Sequence, residues 1–297
     1  MNERLALTAG DYRVELLPAA GGAIASLRWR HPERGWIDLM RPLADGGSAH
    51  DPYQLASFPL APFANRVRDS QFTFRGRTVT LAPPPFGQHA QHGHALTQAW
   101  KSTERTAGSA SLSYRHVPDE WPFAYEITQN FVVSRQGLSI HLGARNCGAE
   151  PMPFGFGLHP YFPRTRLCGV KAQVSGLWQT DSEVMPTRHG LPDGPLDPRQ
   201  GLAIDYVVCD NVFTGWNGRA VIAWPEFGTE LTMSASRLLG VLFLYVPAAE
   251  SYFCLEPASN ITDAFNFAAK GAEGTGMIVL EPGQASGAEV TFSAAAI

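Results

Sequence analysis

Four short segments set polar side chains in apolar or turn-forming company: Ala64-Asn65-Arg66-Val67, Gln91-His92-Gly93-His94, Gly157 through Phe162 around His159, and Cys254-Leu255-Glu256-Pro257. Each joins an acid, a base or a hydrogen-bonding group to glycine, proline or aromatic residues, the setting of sites built where strands end. A carboxylate and an imidazole can exchange protons near neutral pH once burial and neighbours tune them. Glu256 follows Tyr252-Phe253-Cys254-Leu255 and precedes Pro257. Its apolar setting raises the cost of its charge and separates it from an ordinary surface carboxylate. Arg66 reads as a ligand-binding cation ahead of a structural ion-pair partner. His31, His50, His116, His141 and His189 read as hydrogen-bonded structural residues.

The elements that must position these groups are strands. The 29 glycines and 23 prolines recur between short segments rich in Val, Ile, Thr and aromatics, which punctuates the chain as an all-β protein. Phe72–Phe74 and Thr78–Leu81 flank Gly76 as one hairpin, and Glu126–Val133 and Leu138–Ala144 flank Gly137 as another. Further strands are predicted over Arg13–Leu17, Ile24–Trp29, Ser111–His116, Ala220–Trp224, Glu230–Ser234, Val241–Val246, Met277–Leu280 and Glu289–Phe292. A dozen or so such strands favour a large antiparallel sandwich over a small-ligand barrel. Arg188 to Asp205, with its repeated Gly and Pro, reads as a long surface loop able to border a cleft. Trp29, Tyr161, Phe162 and Trp216 read as core aromatics, one or two of them available as a flat platform for a ligand.

Composition narrows the function further. With 44% hydrophobic and 17% charged residues, the chain can bury a large core, and nothing in it reads as a linker, so residues 1–297 are expected to form one domain. A net charge of −4 without a Lys/Arg run excludes the concentrated basic face that a nucleic-acid partner requires. Arg4, Asp11, Arg13 and Glu15 interrupt the first residues, and no later stretch could span a bilayer, so a cytoplasmic address and no membrane partner are expected. Cys147, Cys168, Cys209 and Cys254 lie far apart with no C-x-x-C pair and read as free, mostly buried thiols. Asn260-Ile261-Thr262 matches a glycosylation sequon but requires secretion and is discounted. The glycines from Gly271 to Gly276 lack dinucleotide-loop spacing and a βαβ setting.

Taken in order, these segments resemble the aldose 1-epimerase family and its galactose mutarotase-like relatives. The match begins at Leu17-Pro18-Ala19-Ala20-Gly21-Gly22 and runs through Pro62-Phe63-Ala64-Asn65-Arg66-Val67, the Phe72–Gly76 hairpin and His92-Gly93. It continues at His159-Pro160-Tyr161-Phe162, Asp210-Asn211-Val212-Phe213, Leu255-Glu256-Pro257 and Asp263-Ala264-Phe265-Asn266. The resemblance covers nearly the whole chain and rests on the order and spacing of its motifs. It implies an all-β galactose mutarotase-like supersandwich and a cofactor-independent isomerase that interconverts the anomers of a free aldose. His159 is then the general acid and Glu256 the general base, while Arg66, His92 and Asp210 hold sugar hydroxyls with Asn65 close by. Two departures bear on the choice of sugar: Gln91-His92-Gly93-His94 carries a second histidine, and Gly157-Leu158 precedes His159 in place of a Thr-Asn approach.

Elementary chemistry gives the same division of labour. Anomer exchange needs removal of the C1 hydroxyl proton and protonation of the ring oxygen, then rotation about C1–C2 and the reverse transfers. One acid and one base suffice, without a metal or nucleotide. Arg66, Arg68, Arg164 and Arg166 could serve an anionic sugar if they converge. The rival enzyme class is a metal-dependent cupin, suggested by His89, His92 and His94 with Glu104, but its carboxylate comes too late and no second histidine motif follows. A silent sugar-binding module would have no need of both His159 and Glu256.

Overall fold

The computed structural model describes residues 3–84 and 87–297; Met1 and Asn2 of the N-terminal segment read above lie outside them. Alternation along the sequence becomes alternation across a sheet. In Tyr125–Ser134 the residues Tyr125, Ile127, Gln129, Phe131 and Val133 are buried, while their neighbours are partly or fully exposed. The same period recurs in Gly137–Asn146, which pairs with it over ten residues. These two strands sit in a nine-stranded sheet, ordered Lys101–Arg105, Ser109–His116, Tyr125–Ser134, Gly137–Asn146, Ala285–Ala296, Thr229–Ala235, Arg219–Trp224, Gly169–Ala172 and Leu202–Ala203.

An eight-stranded sheet carries Pro186–Gly190, Gly176–Thr180, Cys209–Thr214, Val241–Val246, Tyr252–Ala258, Gly157–Leu158 and Pro59–Leu60 in that order, with Tyr161–Pro163 also pairing with Tyr252–Ala258. Val241–Val246 and Tyr252–Ala258 are buried along almost their whole length, as continuous apolar runs covered on both faces should be. A four-stranded sheet from Leu5–Ala9 to Gly35–Asp38 packs its buried residues into the same contiguous core as the two larger sheets. All paired strands are antiparallel, and the one α-helix among the described residues, Ala264–Ala269, is a short connector. Among the described residues, no helix is long and apolar enough to cross a membrane.

The supersandwich expectation therefore holds, with most predicted strands longer than expected and several short ones added, such as Pro59–Leu60 and Arg66–Val67. The C-terminal strand extends over Ala285–Ala296, well beyond the predicted Glu289–Phe292, because partners on both sides complete its ladder despite its small residues. The predicted loop from Arg188 to Asp205 contains the end of Pro186–Gly190 and all of Leu202–Ala203, the latter pairing at the sheet edge with Gly169–Ala172. The four cysteines are free. Asn260 of the sequon is buried, its side chain bonded to the backbone of Ala64 and Ile261, so it is a core bracket.

Candidate active site

Glu256 occupies the middle of the buried strand Tyr252–Ala258, paired with Phe243 of the adjacent strand. His159 lies on the connection between Gly157–Leu158 and Tyr161–Pro163, both of which pair with the Glu256 strand. Its amide donates to the Phe58 carbonyl at 2.9 Å, pinning that connection. Gly157 permits the close approach: a Cβ there would lie 2.7 Å from the Pro257 carbonyl oxygen and 3.0 Å from the Ala258 Cβ. As a result His159 Nε2 stands 3.3 Å from Glu256 Oε1, with both side chains almost fully buried.

The remaining sequence candidates arrive from other elements. His92 and Gly93 adopt consecutive left-handed conformations, with φ of 63° and 70°, in a turn held by hydrogen bonds from His92 N to Asn65 O and from His94 N to Ala61 O. This turn presents the His92 ring edge-on to His159, with centroids 5.0 Å apart. Arg66 pairs with Gln91 across a two-residue ladder, and its guanidinium bonds Asn65 Oδ1 at 3.1 Å and Asp210 Oδ2 at 3.3 Å. Asp210 comes from Cys209–Thr214, two strands from Glu256 in the same sheet. Arg66 and Asp210 retain side-chain exposures of 18% and 23%, so they form a more open rim above a closed acid–base floor.

Burial dominates the electrostatics. It pushes the pKa of Glu256 well above the usual carboxylate value, reinforced by the negative charge of Asp210 and opposed by Arg66. It pushes His159 down to about 3, opposed in part by its own carbonyl and reinforced by Arg41 and Arg66. His92 is held well below its ordinary value by burial, His159 and Arg66. Asp210 is raised by burial, with Arg66 opposing. Sequence reasoning has the catalytic pair as carboxylate and imidazolium; the dry setting instead favours the neutral arrangement with the proton on Glu256. His92 Nδ1 and Glu256 Oε2 are buried without a hydrogen-bond partner, a costly state for polar atoms that a hydroxylated ligand would relieve.

Several neighbours escaped sequence reasoning. Phe58 packs against both His159 and His92, at centroid distances of 4.6 and 6.0 Å. Tyr161, read above as core, stacks on His159 at 4.8 Å and carries the Arg41 guanidinium on its ring at 4.0 Å. Cys254 shares a strand face with Glu256 through the two-residue period, a signal that was legible in the sequence. Arg41 had none. Trp29, Phe162 and Trp216 are buried in the core as expected.

The three histidines of the cupin alternative do not gather. His89 Nδ1 accepts from the Asp69 amide, and its Nε2 lies 3.6 Å from Glu183, whereas His94 Nε2 bonds the Tyr125 hydroxyl at 2.9 Å. Nor do the arginines converge as free charges. Arg66 faces Asp210, Arg68 faces Asp263, Arg164 is held by the carbonyls of Pro247, Asp205 and Val207, and Arg166 is exposed, its charge acting on Glu226. Two surface concavities of about 440 and 490 Å³ lie elsewhere; the second reaches Arg41, and the walls of neither include His159 or Glu256.

A family model described as aldose 1-epimerase matches residues 3–293. The uncharacterized protein YphB of Escherichia coli K12 is 33% identical over 270 residues, covering 86% of this chain and 90% of the relative. The crystal structure of a candidate aldose 1-epimerase from the same organism has a TM-score of 0.90 at 28% identity, with 100% of both chains covered. A galactose mutarotase-like protein from Clostridium acetobutylicum shares the fold at a TM-score of 0.88 and 18% identity, over 100% of this chain and 96% of the other.

Proposed function

The chain belongs to the aldose 1-epimerase family, and on that premise we propose that it interconverts the α- and β-anomers of a free aldose with His159 and Glu256 as its proton-transfer pair. The observation that carries this proposal is the 3.3 Å approach of one buried imidazole to one buried carboxyl group. Two groups this close can serve two oxygens bonded to the same carbon, the hydroxyl and the ring oxygen of a hemiacetal. His92, Arg66 and Asp210, with Asn65 behind Arg66, hold the remaining hydroxyls. Because Arg66, Arg68 and Arg164 already face a carboxylate or carbonyl oxygens, an uncharged aldose suits the site better than a phosphorylated one.

The pair holds one titratable proton, either as imidazolium with carboxylate or as imidazole with carboxylic acid. In the closed-ring complex, carboxylate Glu256 removes the C1 hydroxyl proton while His159 protonates the ring oxygen. Ring opening therefore converts the charged arrangement into the neutral one, which is the arrangement that burial favours. Two charges disappear as the aldehyde forms, so desolvation favours the open-ring state over the charged closed-ring complex, though not over the neutral resting pair. Rotation about C1–C2 exposes the other carbonyl face. On closure Glu256 returns its proton to the carbonyl oxygen and His159 takes one back from the hydroxyl that re-forms the ring, which restores the charged pair and gives the opposite anomer.

The chain is read as one domain, in keeping with its contiguous core, and as a cytoplasmic protein, in keeping with four free cysteines. Polarimetry of a freshly dissolved pure anomer tests the activity. Glu256→Gln and His159→Asn should each slow enzymatic mutarotation by roughly 10²–10⁴-fold, while calorimetric sugar affinity changes only a few fold. The double variant should lose little more than either single one, because the two groups act as a unit. Near-wild-type turnover by Glu256→Gln removes Glu256 as the base, and sugar binding without turnover by the unmodified protein identifies a silent binder.

A further inference from the structure

The proton-transfer pair has a third neighbour that mutarotation does not use. Cys254 is fully buried on the strand that carries Glu256 and, two residues away, faces the same side. A His159 ring nitrogen, Cys254 Sγ and a Glu256 carboxylate oxygen all lie within 4.8 Å of one another. Among the described residues, this is the one group of at least three His, Cys, Asp or Glu side chains with that spacing.

Imidazole, thiolate and carboxylate are the three ligand types of protein zinc sites, and three protein ligands with one open position is the arrangement of sites that exchange their fourth ligand. A tetrahedral zinc ion with ordinary bonds to nitrogen and oxygen separates those atoms by about 3.4 Å. His159 Nε2 and Glu256 Oε1 are already 3.3 Å apart. The edge to sulfur needs about 3.6 Å, which requires Cys254 Sγ to move inward by roughly an ångström at most. Coordination through Oε1 replaces its contact with His159, while the second oxygen, Oε2, is buried without a hydrogen-bond partner.

From this geometry we propose that His159, Cys254 and Glu256 form an inhibitory site for a thiophilic divalent cation of the zinc type, open on its fourth side toward the sugar pocket. The cation brings two positive charges, and Cys254 and Glu256 supply two negative ones after releasing their protons to solvent. His159 binds as the neutral imidazole. The filled site is therefore electrically neutral, as a dry pocket demands. Filling the site displaces the thiol and carboxyl protons, so the cation binds more tightly as pH rises. Occupancy removes the acid and the base together. Inhibition, unlike metal binding itself, rests on the proton-transfer roles proposed above.

Titration of chelator-treated protein with Zn²⁺ should show one tight site and a parallel loss of mutarotation that EDTA reverses. Saturating sugar should weaken the apparent affinity. Co²⁺ in place of Zn²⁺ should give a thiolate-to-metal charge-transfer band that Cys254→Ser abolishes. Cys254→Ser and Cys254→Ala should lower zinc affinity at least about tenfold and leave metal-free turnover within twofold. Unchanged zinc binding in both variants, a missing charge-transfer band, or stimulation by zinc would each overturn the site. Stoichiometric binding with the cobalt signature in a protein that shows no mutarotation would leave the metal site standing and refute only the proposed activity.

Discussion

At the level of single residues, Arg66 illustrates how a cation can organise a sugar site without serving as a free charge. Its guanidinium spans Asn65 Oδ1 and Asp210 Oδ2, so Asp210 is oriented and partly neutralised at the rim while Glu256 remains in the dry interior. Removing it should affect recognition before chemistry. Arg66→Ala deletes charge-assisted hydrogen bonds, each worth about 1.5–3 kcal/mol, and leaves Asp210 without its partner. Calorimetry should therefore show sugar affinity weakened by about one to two orders of magnitude, with the turnover of saturated enzyme reduced much less. A large fall in turnover at unchanged affinity would instead make Arg66 part of the proton-transfer machinery. Arg66 and Asp210 were both legible in the sequence as members of ordered motifs. Their pairing was not, because 144 positions separate them and only the sheet order brings them together.

At the level of elements, the turn through His92 depends on backbone conformation more than on side-chain identity. Gly93 has φ of 70°, and a Cβ there would fall 2.0 Å from the Ala61 carbonyl oxygen, so no other residue fits without moving the turn. Gly93→Ala should cost more than about 2 kcal/mol through the left-handed conformation and the clash combined. The damage should centre on the turn, lowering the urea midpoint and weakening sugar binding together. A variant with wild-type affinity would show that His92 does not need this turn to meet the sugar. The sequence revealed the strands well where apolar residues alternate, as in Tyr125–Ser134, or run on continuously, as in Val241–Val246. It revealed poorly the two-residue ladders such as Arg66–Val67 with Ala90–Gln91, which owe their pairing to tertiary contacts and leave no periodic signal. The position of Phe58 between two histidines was likewise invisible, since any buried phenylalanine looks like core.

For the whole molecule, the buried histidines make stability depend on pH in a way that can be worked out from their pairing. The His159–Glu256 pair holds one proton in the fold from about pH 3 up to the raised pKa of Glu256. In the unfolded chain the two groups titrate near 6.5 and 4.5, so there too the pair holds one proton between those values, and it contributes no slope in that window. Where pH exceeds 6.5 but not the raised pKa of Glu256, the unfolded pair has lost its proton while the folded pair keeps it, so stability declines there as pH rises. Below pH 4.5 the unfolded pair gains a second proton first, so stability declines again. His94 adds an acid slope of its own. It sits on His116 and bonds Tyr125, and burial, with the neighbouring His116, pushes it down to about 4. Between pH 6.5 and 4 the unfolded chain binds a proton at His94 that the folded chain refuses, which costs about 1.4 kcal/mol per pH unit, or about 3 kcal/mol across the window. His92, also held neutral, acts in the same direction. The buried histidines therefore make stability fall as pH drops below 6.5. His94→Gln can still hydrogen-bond Tyr125 but does not titrate, so urea unfolding at pH 7, 6 and 5 should show a shallower acid decline than in the wild type, by about one proton's worth of slope. Parallel declines in the two proteins would mean that His94 takes up its proton as readily in the folded state as in the unfolded chain, and that the Tyr125–His94–His116 contacts open without cost.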